Sequence, residues 1–151
     1  GYILSAAGAG ALVTTIAISS LKEVGRKGVF ALIGLSSFGG FLILFALSPW
    51  LPLSLIFITL AYSGAMAYET MLGALLQTVV PDSMRGRVLS FQTATWGLTG
   101  VAGFHTGAIA AAIGAPIAIA IGGAVVLANA IRIAPTFWRL DERAVEHSDG
   151  D

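Results

Sequence analysis

The sequence predicts an all-α membrane protein, a bundle of five transmembrane helices. Of its 151 residues, 56% are hydrophobic and only 11% are charged, with a mean hydropathy of +0.88. A soluble domain carries about 25% charged residues to cover its water-facing surface. The second observation is a series of five apolar runs, each near the ~20 residues with which a helix crosses a bilayer. The bilayer is therefore the expected solvent.

The five predicted helices are separated by short breaks, and they cover residues 1–20, 28–47, 53–80, 88–113 and 116–134. Membrane-spanning strands would alternate apolar and polar residues, and the runs lack that alternation. Pro49 and Pro52 stop the second helix, Gly114 ends the fourth, and Pro116 begins the fifth. Residues 135–151 are expected to form a short, charged, solvated tail.

The positions of the basic residues predict the topology. All eight lie in the first break, in the third break, or at or beyond the end of the fifth run: Lys22, Arg26, Lys27, Arg85, Arg87, Arg132, Arg139 and Arg143. These three places face the same side if the chain crosses five times. Cytoplasmic loops carry the excess of Lys and Arg. We therefore expect a cytoplasmic C-terminus and an outward Gly1, in a plasma membrane.

The composition also excludes several classes of function. The formal net charge is zero, so nucleic acid is not an expected partner. The absence of cysteine excludes disulfides, thiolate metal sites and thiol nucleophiles. Two distant histidines give neither a metal cluster nor a nucleophile–base pair, and a single intramembrane acid cannot perform two-carboxylate hydrolysis. We expect no catalytic site, no metal and no cofactor.

Glu69 is the only acidic residue inside any of the five runs. A charged group at that depth costs at least about 2.5 kcal/mol, so it normally faces a bundle interior or an aqueous cavity. It is either a proton-coupling or cation-recognising group, or a structural carboxyl that is protonated or bonded to a neighbouring helix. Tyr62 and Met66 share its helix face by their spacing. They are either a lining for an amphiphilic cargo or ordinary packing residues.

The fourth run contains a histidine among glycines. His105 is either a proton relay or a side chain bonded to a backbone carbonyl on an adjacent helix. Gly97, Gly100, Gly103 and Gly107 recur at intervals of three and four residues. Because membrane helices associate by close packing, this stripe predicts a surface that contacts another helix.

Residues 75–116 carry the clearest motif. Within "LLQTVVPDSMRGRVLSFQTATWGLTGVAGFHTGAIAAAIGAP", seven residues occur in the same order as in a sequence motif of one transporter family. They are Gln77, Pro81, Asp82, Arg85, Gly86, Arg87 and Val88. The stretch resembles the C-terminal half of major facilitator superfamily transporters, closest to the branch with enterobactin and macrolide exporters. Gly25, Arg26 and Lys27 resemble the second half of that family's basic loop. Its Asp-Arg pair is replaced by Lys22 and Glu23.

The resemblance implies a function. The chain would be a fragment of a twelve-helix secondary transporter, covering helices eight to twelve. It would export drug-like or siderophore-like molecules in exchange for protons, in the bacterial inner membrane, together with a missing N-terminal half. Asp82, Arg85, Arg87, Arg26 and Lys27 would form a cytoplasmic gate, or else the arginines only face lipid headgroups. The alternative function is a non-catalytic integral membrane module for assembly or anchoring.

Overall fold

The computed structural model describes residues 1–20 and 27–148, and this part of the chain is helical without any strand. Six helices follow one another: α1 (Tyr2–Ser20), α2 (Lys27–Leu47), α3 (Leu51–Val79), α4 (Asp82–Gly97), α5 (Thr99–Ile113) and α6 (Ala115–Ser148). The predicted all-α class is confirmed.

Membrane-length helices are fewer than the five predicted. Among the described residues, three stretches are long and apolar enough to cross a bilayer: Lys27–Leu47, Leu51–Gln77 and Ala115–Arg139. Two further apolar stretches, Tyr2–Ile18 and Gly103–Ile113, are shorter. A five-pass topology therefore stays a prediction.

Prolines set both ends of α3. Trp50, at its N-cap, is extended, and a proline occupies the first turn, where its missing N–H removes no helical hydrogen bond. At the other end Val80 is extended (φ −87°, ψ 124°). This is the conformation that the ring of a following proline, here Pro81, imposes on its predecessor.

The fourth predicted helix differs from the expected 88–113. Helix resumes directly after Pro81, so the polar stretch expected to link two crossings is the first half of α4. The continuous helix is also interrupted at Leu98, whose N–H bonds to the Thr95 carbonyl three residues back, at 3.1 Å. Gly97 and Gly100 flank this tighter turn, and glycine lowers the helix propensity there.

The C-terminal region is also more ordered than predicted. Helix α6 continues past Ala134 to Ser148, with Pro135 inside it. The residues after Pro135 include several strong helix formers, and Phe137 is buried in the core. The expected solvated tail is therefore, up to Ser148, an extension of the last helix.

Helix α2 lies at the centre of the packing. It contacts α3 and α6, while α1 packs on α3 and α5 packs on α6. A hydrophobic core joins α2, α3 and α6 near the start of α2, and its buried members are Ala31, Leu32, Met71, Leu75 and Phe137. Pairs of glycines let the backbones meet: Gly34 faces Gly64, and Gly39 faces Gly123.

The predicted glycine stripe of the fourth run does not make backbone contacts of this kind at the positions that the structure describes. A Cβ built on Gly97, Gly103 or Gly107 meets no atom within 4 Å, and all three residues are exposed. In the part of the chain that the structure describes, no helix covers the stripe at these three positions.

Candidate functional site

The candidate site lies on α3, whose polar residues join it to α1. Ser63 Oγ lies within hydrogen-bond distance of the Gly10 carbonyl of α1, at 3.1 Å, and of the Thr59 carbonyl of its own helix, at 2.9 Å. Thr59 Oγ1 likewise lies 3.1 Å from the Ala6 carbonyl of α1 and 2.7 Å from the Leu55 carbonyl of its own helix. Gly10 is buried at this crossing, where an added Cβ would collide with the Thr59 carbonyl. The two hydroxyls and the glycine together fix the register of α1 against α3.

Tyr62 and Met66 contact two different helices. The Tyr62 ring meets Phe38 of α2 edge-on, with 6.3 Å between the centroids and 80° between the planes. The Met66 sulfur lies 3.9 Å from Thr15 Oγ1 of α1. That hydroxyl also donates to the Ala11 carbonyl of its own helix at 2.8 Å. This face of α3 therefore presents an aromatic ring to α2 and a thioether to a hydroxyl of α1.

Glu69 is one turn beyond Met66 on the same face and is half-buried. It is the only acidic residue within the three membrane-length stretches. Two helical turns, or about 10 Å along the axis, separate it from Tyr62, which is 42% exposed. The three predicted side chains thus line one strip of α3, and the strip is only partly covered by α1 and α2.

His105 lies apart from this strip. It is exposed on α5, and its ring meets that of Phe104 edge-on, with centroids 6.2 Å apart. Helix α5 packs on α6, whereas the main neighbours of α3 are α1 and α2. The described structure does not bring the histidine and Glu69 together.

The predicted gate is only partly within the described residues. Lys27 is the first residue of α2 and is half-buried, and Arg87 is exposed on α4. Arg26 and the side chains of Asp82 and Arg85 lie outside the described part of the structure. The gate contacts therefore stay a prediction.

Sequence reasoning missed the hydroxyl groups of the α1–α3 contact. Thr59 and Ser63 are four residues apart, and Met66 follows after three more, so all share one side of a helix. This spacing of small polar residues in an apolar run is the signal that could have found them. Among the described residues, no group of three His, Asp or Glu side chains could hold a metal ion.

Comparison with known proteins assigns the family. No curated protein and no solved structure matches the chain. A family described as transmembrane secretion effector matches it over residues 1–149, nearly its whole length. Three membrane-length helices and an apolar composition agree with that match. The chain belongs to the transmembrane secretion effector family, a group of transporters of the major facilitator type.

Proposed function

We propose that the chain is the C-terminal part of a secondary active transporter that exports drug-like or siderophore-like molecules in exchange for protons. The observation that carries the proposal is Glu69, a lone carboxyl half-buried in an apolar helix beside Tyr62 and Met66. Such residues in membrane segments commonly mark ion and substrate pathways. The family match supports the transporter class.

The chemistry of the strip suits an amphiphilic cargo. An aromatic face and a thioether provide adaptable apolar contacts, and a carboxylate attracts a cationic group. The same carboxyl is neutral when protonated, which removes that attraction. One group that binds either a proton or a cationic cargo makes the two compete, and competition is what an exchange mechanism needs.

The gate and the orientation belong to the same proposal. We place the end of the bundle with Lys27 and Arg87 in the cytoplasm, since basic residues accumulate on that side of a plasma membrane. Arg26, Asp82 and Arg85 would complete a gate there. His105 would serve as a second proton-binding group on α5.

The test is Glu69→Gln, which keeps the shape of the side chain and removes its titration. In the complete transporter, reconstituted in vesicles with an imposed pH gradient, we expect gradient-driven efflux of ethidium to be abolished. Exchange of ethidium at equal pH on both sides should weaken and lose its pH dependence, because the neutral amide resembles the protonated carboxyl, which does not attract the cation. Unchanged gradient-driven efflux would remove Glu69 from the mechanism.

The control is Glu142→Gln, which makes the same chemical change beyond the membrane-length part of α6. It should leave both activities intact. If Glu69→Gln instead lowers the melting temperature, the lost activity reflects a structural carboxyl and the proposed coupling is wrong.

A further inference from the structure

Helix α6 carries two arginines on the side that faces away from the bundle. Arg132 and Arg139 are exposed and seven residues apart, so they lie within about 20° of each other around the helix. The buried residues Ala130 and Phe137 lie about 140–160° from Arg132. No other described helix covers the basic face.

The same face is apolar nearer the start of α6. Val125 is 63% exposed and Ile121 is 51% exposed, and both lie within about 20° of Arg132 around the helix. In a bilayer these two side chains meet acyl chains. One outward stripe therefore changes along its length from apolar to cationic.

The depth of this change follows from the packing of α2 on α6. The Gly39–Gly123 crossing lies about 3 Å along the axis from the middle of Lys27–Leu47, on the Leu47 side, and a third of the way along Ala115–Arg139. At 1.5 Å per residue, Arg132 lies about 13.5 Å from the crossing and Arg139 about 24 Å, toward the Lys27 end of α2. Measured from the middle of the α2 stretch, their depths are about 10.5 Å and about 21 Å. Half of the hydrocarbon core is about 15 Å thick, and the headgroup region extends to about 20–22 Å.

Phospholipid phosphates lie between these two depths, within reach of both arginine side chains. The guanidinium group binds phosphate oxygens in a paired, planar geometry. Trp138, between them in sequence and 60% exposed, is a residue type enriched at this level of the membrane. Arg132 has no acidic residue within four positions on either side, whereas Arg139 has Asp141 and Glu142 within that span.

We propose that this basic face of α6, formed by Arg132 and Arg139, binds the headgroup of an anionic phospholipid. The occupant is a lipid whose acyl chains lie along Ile121 and Val125 and whose phosphate meets the two guanidinium groups. The site does not depend on the cargo or on the role of Glu69.

The test is native mass spectrometry of the protein with phosphatidylglycerol and phosphatidylcholine of identical acyl chains. We expect the wild-type protein to retain phosphatidylglycerol in preference to phosphatidylcholine. Salt at 300 mM should weaken that preference. Arg132→Gln should reduce it by about fivefold, and Arg132→Gln/Arg139→Gln by about twenty-fivefold, because the loss of one hydrogen-bonded guanidinium–phosphate pair changes an equilibrium by about that factor. These side chains are exposed, so helix content should not change.

The control is Arg87→Gln, which removes an exposed arginine from α4 and should leave the preference within twofold of wild type. An equal loss in Arg87→Gln would show diffuse charge attraction and overturn the site. An unchanged preference in the double variant would also overturn it. A change in oligomeric state without a change in lipid preference would assign the face to a second copy of the chain, against the proposal.

Discussion

Gly34 of α2 and Gly64 of α3 face each other so closely that neither position has room for a side chain. A Cβ built on Gly34 would lie 2.7 Å from the Gly64 carbonyl oxygen, and a Cβ on Gly64 would lie 2.6 Å from that of Gly34. Both residues are buried. Because lipid tails are as apolar as the side chains, such backbone approach supplies much of the attraction between membrane helices.

We predict that Gly64→Ala separates α2 from α3 and lowers stability by about 1–3 kcal/mol, the usual cost of overpacking a tight contact. The new methyl group would collide with backbone atoms, which cannot rotate away. The measurement is the midpoint of thermal unfolding in detergent.

Gly73→Ala is the matched control for that change. It lies on the same helix, and an added Cβ there meets no atom within 4 Å. This variant should be neutral or up to about 1 kcal/mol more stable, because alanine favours helix over glycine. Equal losses in the two variants would mean that the Gly34–Gly64 contact does not limit the packing.

A second prediction concerns the α1–α3 contact. Thr59→Val keeps the branched shape but removes the hydroxyl, which bonds to the Leu55 carbonyl of its own helix and also reaches the Ala6 carbonyl of α1. We expect a loss of about 0.6 kcal/mol, the average measured for hydrogen bonds between membrane helices, where the maximum is about 1.7 kcal/mol. Chemical unfolding in mixed micelles provides the measurement.

Thr95→Val removes a hydroxyl that bonds to the Phe91 carbonyl of its own helix and lies at an exposed position. It should change stability by less than half as much as Thr59→Val. If the order of the two losses is reversed, the bond between the helices is not what stabilises this contact.

The helical class was predictable because it depends on composition and run length, which are local quantities. Helix ends at Pro49 and Pro81 were predictable for the same reason, since a proline restricts its own backbone and that of its predecessor. The break at Leu98 was not predicted. Glycines in an apolar run are equally compatible with a straight helix and with a kinked one, and the choice depends on tertiary contacts.

The sequence also could not show which glycines contact a neighbouring helix. The spacing of Gly97, Gly103 and Gly107 predicted a contact surface, yet these residues are exposed. Gly34 and Gly39, five residues apart, make the close contacts instead. Spacing identifies a smooth helix face, but the partner depends on the arrangement of all the helices. For the same reason the sequence grouped Tyr62, Met66 and Glu69 but gave no contact partners for them.

The last prediction tests whether α4 and α5 cross the membrane together. The apolar stretch Gly103–Ile113 is only about 16 Å long, too short for the ~30 Å hydrocarbon core, whereas residues 82–113 span about 48 Å as helix. The chain contains no cysteine, so single cysteines can be introduced without a background. Ser83 lies in the first turn of α4, and Ala115 is the first residue of α6, two residues after the end of α5. Both residues are exposed.

We expect Ser83→Cys and Ala115→Cys to react with a membrane-impermeant maleimide from opposite sides of oriented vesicles. Pro49→Cys, in the turn between α2 and α3, should react from the same side as Ala115→Cys, because α3 and the α4–α5 pair each add one crossing between them. Reaction of Ser83→Cys and Ala115→Cys from the same side would mean that α4 and α5 do not cross. The number of passes would then be four or fewer, and the basic residues after α6 would no longer share a side with Arg87 and with the basic residues before α2.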